Sequence, residues 1–489
     1  MTWLSPLIAG NPVASLGSSF TTMLAAATGA TGEAAVEAGT QGDANAMAEV
    51  INSIPFPVVL TVVAVTFLGT LAMSKFAVKL KVPAILGVLI LGAMINPDVE
   101  LFTPAGVEQL HVISLSMLLF YAGLTTRLKQ IRDFLGYGLL LAVGGVIVSS
   151  LAFGLMIFGI YTVFGTTMAG SEFQALPLSI CLLVAASLGS TDAGATLNVL
   201  ATVSRFVPTR VRRLLEFESS VNDPAAILFL LLVIGISMGT QATTGVSMDG
   251  VLPGIPGQVQ TFIKSIGSGI MVGLILTYVA QFILCRFIQD KNQILIVGIS
   301  IALASYGLST LLNGSGFITA YVTGLFLANN IYDNPIITKT VLEHSLEPFN
   351  TMMEVLVFLL FGVIIDPHNI RLVLPEGILC AIALMLIARP ISVLLFRRFS
   401  PFSNRENVLI SWCGLRGAVP LALCYTVIHT IDTLPGITPE LAKTYSAEVE
   451  GLIFLVVLFN LAVQGLTLPM LSRRLGLRGE EDPVDPAMA

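Results

Sequence analysis

Two carboxylates and several polar side chains stand at the start of a long apolar run. The pattern reads Glu218-Ser219-Ser220-Val221-Asn222-Asp223-Pro224. On a helix, Ser219 and Asp223 lie one turn apart on the same face. An oxygen-only set of Ser219, Asp223 and freed backbone carbonyls near Thr191 suits a small hard cation such as Na+ or K+. The alternative is a hydrogen-bonded, structural aspartate that precedes the helix-breaking Pro224.

A carboxylate inside a membrane span is costly and typically marks an ion or proton pathway. At low dielectric, the charge of the Asp223 carboxylate has to be balanced by a proton or by a bound cation. A single carboxylate that holds one or the other is sufficient for antiport, the exchange of a cation for a proton.

The composition indicates that this run lies in a membrane. The 489 residues are 55% hydrophobic and 11% charged, whereas soluble domains carry about 25% charged residues. A span needs about 20 apolar residues. Thirteen apolar segments follow residue 52, and we predict a span in each: 54–74, 82–97, 107–126, 135–164, 174–202, 209–238, 260–287, 292–312, 314–331, 339–365, 371–396, 406–430 and 448–471.

The basic residues predict the orientation, because loops rich in Lys and Arg stay in the cytoplasm. Most of the 24 Lys and Arg residues lie in alternate loops and in the C-terminal tail. The N-terminus is therefore predicted outside and the C-terminus in the cytoplasm. The predicted regions are an extracytoplasmic tail (1–52), a first repeat of spans 1–6 (53–238), a linker span 7 (239–291), a second repeat of spans 8–13 (292–472) and a short cytoplasmic tail (473–489).

The fifth and twelfth spans carry helix-breaking residues at mid-membrane, in segments 188–194 and 413–420. Matching interruptions in two halves are typical of an inverted-repeat transporter. Broken helices direct their dipole ends at the site. We expect Asp192 to neutralise N-terminal ends and to contact the ion, and Arg416 to neutralise C-terminal ends. The alternative for either residue is a direct ligand or an ordinary structural ion pair.

Glu218 needs a cationic partner, because a second free carboxylate at this depth would be costly. Arg389, in Ala388-Arg389-Pro390, is the other embedded cation besides Arg416. We predict a structural Glu218–Arg389 pair. The alternative is that Arg389 extends towards the cytoplasmic interface.

Taken together, these residues resemble the monovalent cation/proton antiporters of the NhaP/NHE-like branch. Five segments carry the resemblance: Ser190-Thr191-Asp192, 218–223, 316–325, Ala388-Arg389-Pro390 and 412–418. The resemblance implies an all-α membrane fold of about 13 helices, an inverted repeat with two crossed, interrupted helices as in NhaA-like antiporters. It also implies a mobile core domain, a fixed dimerisation domain and a homodimer.

The resemblance further implies roles for the site residues. Asp223 carries the transported ion, and the residues around it are Thr191, Asp192, Ser219 and, as support, Asn222. An Asn before the Asp goes with electroneutral exchange. One departure is Leu119-Phe120-Tyr121-Ala122-Gly123, where many relatives have an acidic residue in place of Tyr121.

We therefore predict a multi-pass secondary antiporter of Na+, K+ or Li+ against H+, in a prokaryotic plasma membrane. It would contact membrane lipid and need no cofactor, no nucleic acid and no catalytic residue. The alternatives are a cation channel, which would need a filter-like pore loop, and an intramembrane aspartyl enzyme, in which Asp192 and Asp223 would form the dyad.

Overall fold

A computed structural model describes residues 64–65, 67–69, 84–93, 104–126, 132–163, 176–239, 254–330, 332, 336–365 and 367–477. Within these ranges the regular structure is helical throughout. The predicted N-terminal tail (1–52) and most of the first predicted span (54–74) lie outside the described residues.

The first seven helices cover the first half of the chain. They are α1 (Ala84–Ala93), α2 (Pro104–Thr125), α3 (Leu135–Leu139 and Gly145–Val163, joined by a π turn at Leu140–Gly144), α4 (Leu178–Ser187), α5 (Ala193–Ala201), α6 (Thr209–Gly239) and α7 (Gly254–Phe287). A 3₁₀ turn at Ser204–Phe206 precedes α6.

The remaining helices are α8 (Lys291–Leu311), α9 (Gly316–Asn329), α10 (Lys339–Ile364), α11 (Pro367–Leu372), α12 (Leu374–Ala383 and Arg389–Leu395, joined by a π turn at Leu384–Ala388), α13 (Asn404–Trp412), α14 (Ala418–Thr433) and α15 (Pro439–Leu475). A 3₁₀ turn at Arg397–Phe399 follows α12.

Seven of the described helices are long and apolar enough to cross a membrane, namely 132–163, 209–238, 263–287, 291–311, 339–363, 374–395 and 439–475. Four shorter apolar helices accompany them, at 109–125, 178–187, 316–329 and 418–433. The prediction of an all-α, multi-pass membrane protein is therefore confirmed. The count of thirteen spans and the division into two repeats stay predictions.

The pairs α4–α5 and α13–α14 are each a span interrupted by a non-helical segment, and these two segments meet each other. The chain between α4 and α5 turns at Leu188 and Gly189 and then runs without helix to Asp192. A second interruption, residues 413–417, separates α13 from α14. The Asp192 N–H donates a hydrogen bond of 2.7 Å to the Leu415 carbonyl. The two interruptions therefore touch, and each satisfies backbone groups that a continuous helix would have paired internally.

Glycines allow other helices to approach closely around this region. A Cβ added at Gly324 on α9 would overlap the backbone carbonyl of Phe120 on α2, and one at Gly123 would overlap the carbonyl of Tyr321. Small residues at helix crossings permit such backbone contact in membranes. The contacts of Gly324 are those of close helix packing. The contact holds α2, with Tyr121 and Ala122, beside the site.

Candidate functional site

A cavity of about 670 Å³ lies among α2, α5, α6, α10 and the interruption before α14. Its lining includes four of the predicted ion-binding residues, namely Thr191, Asp192, Ser219 and Asp223. The fifth, Asn222, is absent from the lining and only 1% exposed. The predicted residues thus separate into four that reach the cavity and one that lies behind it.

Helix α6 positions Ser219 and Asp223 on its cavity face, one turn apart. The neighbouring face carries Asn222, whose Nδ2 donates to Thr191 Oγ1 over 2.6 Å and whose Oδ1 accepts the Thr191 N–H over 3.3 Å. The hydroxyl oxygens of Thr191 and Ser219 lie 3.1 Å apart. Asn222 therefore holds the non-helical segment at Thr191 against α6 and orients two hydroxyl groups beside Asp223.

Asp192 forms the N-cap of α5. Its Oδ1 accepts a 3.0 Å hydrogen bond from the Ala195 N–H. A helix N-terminus carries partial positive charge, which a capping carboxylate stabilises. The other face of the side chain lies against Gly417, where an added Cβ would overlap the carboxylate. Asp192 thus occupies an N-terminal helix end and also reaches the cavity.

Arg416 is fully enclosed, with 1% of its surface exposed. Its Nη1 donates a 2.6 Å hydrogen bond to the Ser190 carbonyl, and its backbone N–H donates to Asn460 Oδ1 over 3.0 Å. No ion pair to Arg416 occurs within the part of the chain that the structure describes. The guanidinium lies just beyond the C-terminal end of α4, where the helix dipole is negative.

Glu218 and Arg389 form a bidentate ion pair between α6 and α12. Arg389 Nη1 donates to Glu218 Oε1 over 2.6 Å, and Nη2 donates to Oε2 over 2.8 Å. Both side chains are buried. The Arg389 side chain also packs against Gly414, in the second interruption. The pair therefore ties α6 to the segment that crosses Asp192.

Sequence reasoning missed the four cavity residues of α10 that carry carboxyl or amide groups, namely Glu343, Glu347, Asn350 and Glu354. They recur at intervals of four, three and four residues, which places them on one face of a helix. That spacing, inside the predicted span 339–365, could have identified this face from the sequence. Three acidic residues on one face of a membrane span are as unusual as Asp223 itself.

The cavity is strongly acidic. Among the described residues that line it, six carry carboxyl groups and one, Arg213, is basic. The carboxyl groups belong to Asp192, Glu216, Asp223, Glu343, Glu347 and Glu354. A concave site lined by one sign of charge raises the local concentration of ions of the opposite sign. The arrangement therefore favours small cations and excludes anions.

Comparison with known proteins places the chain among transporters. The family model described as sodium/hydrogen exchanger, transmembrane, matches residues 62–474. A K(+)/H(+) antiporter NhaP2 from Shewanella sp. (strain ANA-3) is 30% identical over 417 residues, which cover 82% of this chain and 64% of that protein. The Na(+)/H(+) antiporter ApNhaP from Aphanothece halophytica is 30% identical over 387 residues, covering 76% of this chain and 66% of that protein. The matches thus span slightly less than two thirds of the length of these relatives.

Solved structures show the same fold. The sodium proton antiporter MjNhaP1 from Methanocaldococcus jannaschii, determined at pH 8, superposes with a TM-score of 0.70 at 21% sequence identity. The superposition covers 86% of this chain and 99% of MjNhaP1.

Proposed function

The chain belongs to the sodium/hydrogen exchanger family, and from that premise we propose that it exchanges a monovalent cation for a proton by secondary antiport. The observation that carries the proposal is Asp223, which lies in an acidic cavity where two interrupted helices cross. Relatives with about 30% identity are named as K(+)/H(+) and Na(+)/H(+) antiporters. Family membership also argues against the channel and the aspartyl-enzyme alternatives.

In this proposal the carboxylate of Asp223 alternately holds one cation and one proton. The hydroxyls of Thr191 and Ser219 add neutral oxygen ligands, which suit Na+, K+ and Li+. Asp192 contacts the ion directly or through a water molecule. Asn222 acts indirectly, because its hydrogen bonds to Thr191 maintain the ligand geometry.

The charge balance of the surrounding groups supports electroneutral exchange. Glu218 is neutralised by Arg389. Asp192 caps the positive end of α5, and Arg416 lies at the negative end of α4. Asp223 is then the group whose load changes during the cycle. One proton and one monovalent cation carry the same charge, so the loaded site has equal charge in both directions.

The transport cycle requires the site to open alternately to each side. We propose that the two crossed interruptions move with a core domain against a fixed dimerisation domain, in a homodimer. The cavity residues Thr125 and Arg213 lie near helix ends that adjoin Lys- and Arg-rich segments of the sequence, and Glu343 lies one turn after Lys339. The positive-inside rule assigns those ends to the cytoplasm, with the N-terminus outside and the C-terminus inside a prokaryotic plasma membrane.

The test is exchange by purified protein in proteoliposomes. An imposed ΔpH quenches an entrapped dye, and added Na+, K+, Li+ or Rb+ should restore fluorescence as protons leave in exchange. At least one of these cations should dequench the dye in a saturable manner. Absence of dequenching with all four, in vesicles that contain folded protein, contradicts the proposal. Comparison of the four cations also determines the selectivity.

A further inference from the structure

Helix α10 presents an acidic face to the cavity. Glu343, Glu347 and Glu354 all line it, with Asn350 between them. At a rise of 1.5 Å per residue, Glu354 lies roughly 16 Å further along the helix than Glu343. No Lys, Arg or His forms an ion pair with Glu354 among the residues that the structure describes. Glu354 is half-buried and is one of the residues that line the cavity.

Helix α6 lines the cavity over a similar length. Its cavity face begins at Arg213, four residues after the helix start, and ends at Asp223. The cavity face of α10 likewise begins four residues after the helix start, at Glu343, and ends at Glu354. Both end residues are also electrostatic neighbours of Asp192. Asp223 and Glu354 therefore converge on one end of the cavity from two different helices.

A buried hydroxyl marks the same end. Ser190 is 0% exposed, and its Oγ is not held by a hydrogen bond to the backbone or to a neutral side chain among the described residues. It lies beside the Asp223 carboxyl. A buried hydroxyl is normally paired, so this one serves Asp223, either by donating to its carboxylate or by ligating an ion held against it.

Tyr121 lies on α2. It too lines the cavity, and its electrostatic neighbours are Glu343 and Glu347 of α10. In this chain, α2 contributes no carboxylate among the described lining residues, whereas α10 contributes three. Apart from Asp192, the described lining carboxylates outside α6 thus belong to α10 and not to α2.

We infer that Glu354 is a second cation-binding carboxylate, which acts from α10 opposite Asp223. The inference rests on the proposed function and deepens it. Two carboxylates on facing helices, with the hydroxyls of Thr191, Ser190 and Ser219, provide an all-oxygen site for a partly dehydrated monovalent cation. Glu343 and Glu347 attract cations nearer the mouth. In this inference Glu354 contributes to cation affinity, and Asp223 remains the group that exchanges the cation for a proton.

The test compares wild-type protein, Glu354→Gln and a control in the same proteoliposome assay. Glu440→Gln is the control, because Glu440 is an exposed residue in the first turn of α15 and the substitution removes the same charge. Glu354→Gln should raise the apparent KM for the cation by about tenfold or more, as expected for the loss of a charged ligand. The maximal rate should fall less than the KM rises, and Glu440→Gln should match the wild type.

The outcomes separate the two claims. Wild-type protein that does not exchange overturns the proposed function itself. Exchange by the wild type, together with an unchanged KM in Glu354→Gln, overturns only the assignment of Glu354.

A conservative variant covers the case in which Glu354→Gln fails to fold. Glu354→Asp keeps the charge but shortens the side chain by one methylene. The KM of Glu354→Asp for the cation should lie between the KM of the wild type and that of a site without the Glu354 charge. The ratio of its KM values for Li+ and Rb+ should differ from the wild-type ratio. Wild-type KM values for all cations in Glu354→Asp would overturn the inference.

Discussion

Glu218 and Asp223 are two carboxylates of one helix that have opposite surroundings. Five residues of α-helix turn the side-chain direction by roughly 140°. Glu218 points to α12 and accepts two hydrogen bonds from Arg389 in a buried ion pair. Asp223 points into the cavity, and no ion pair to it occurs among the described residues.

This difference in pairing separates a structural carboxylate from a transporting one. Loss of one partner of a buried pair would leave the other charged and unpaired, so the state of Glu218 is fixed. Asp223 has no fixed counter-charge, and its charge can be balanced by a proton or by a cation in turn. The predictions below test whether function belongs to Asp223 and stability to Glu218.

The largest effect is expected from Asp223→Asn, which removes the exchangeable charge and keeps the shape of the side chain. Exchange in proteoliposomes should fall to the level of empty vesicles. Thermal stability in detergent should be equal to or above that of the wild type, because an unpaired carboxylate has been removed. Wild-type-like transport by this variant would show that Asp223 is not the exchanging group.

Neutralising either member of the buried pair should affect stability. Glu218→Gln or Arg389→Gln should each lower the free energy of unfolding by about 3–5 kcal/mol, since one charge is left buried. The double variant should recover part of that loss. Thermal denaturation of the three variants gives the double-mutant cycle, and strictly additive losses would exclude direct coupling.

Gly417→Ala tests the crossing of the two interrupted spans. The new Cβ would overlap the Asp192 side chain, and overpacking of this kind costs about 1–3 kcal/mol. Exchange should also slow, because Asp192 lines the cavity. The matched control is Gly159→Ala in α3, where a Cβ meets no atom within 4 Å. Equal stability and rate in the two variants would argue against a tight contact at Gly417.

A smaller loss is expected from a second ion pair, which is partly exposed to solvent. Arg210 donates two hydrogen bonds to Glu406, at 2.8 and 2.6 Å, but its side chain is 55% exposed. Arg210→Gln should lower stability by about 1 kcal/mol. Glu406 keeps its hydrogen bond from the Ser403 N–H, which limits the loss. A cost equal to that of Arg389→Gln would show that burial is not what distinguishes the two pairs.

The sequence allowed the membrane class, the two interruptions and the principal residues to be predicted, because each departs from the apolar background. Asp192, Asp223 and the Glu218–Arg389 combination stand out in this way. Glu354 was missed although it shares one helical face with Glu343 and Glu347, because the spacing does not reveal what that face lies against. Only the lining of the cavity shows that this face of α10 and Asp223 of α6 border the same space. Cation selectivity depends on sub-ångström differences in ligand distance, which the spacing of residues in the sequence does not reveal.

The central claim is that one proton and one cation compete for Asp223, and it is tested most directly by measuring exchange against pH and membrane potential together. Greater acidity on the cation side should raise the apparent KM for the cation and leave the maximal rate nearly constant. An imposed potential should not change the rate, although one uncompensated charge would be driven by about 2.3 kcal/mol per 100 mV. A steady charge-carrying current, or a rate that follows the potential, would contradict the account and indicate that a second acid, such as Asp192 or Glu354, titrates during the cycle.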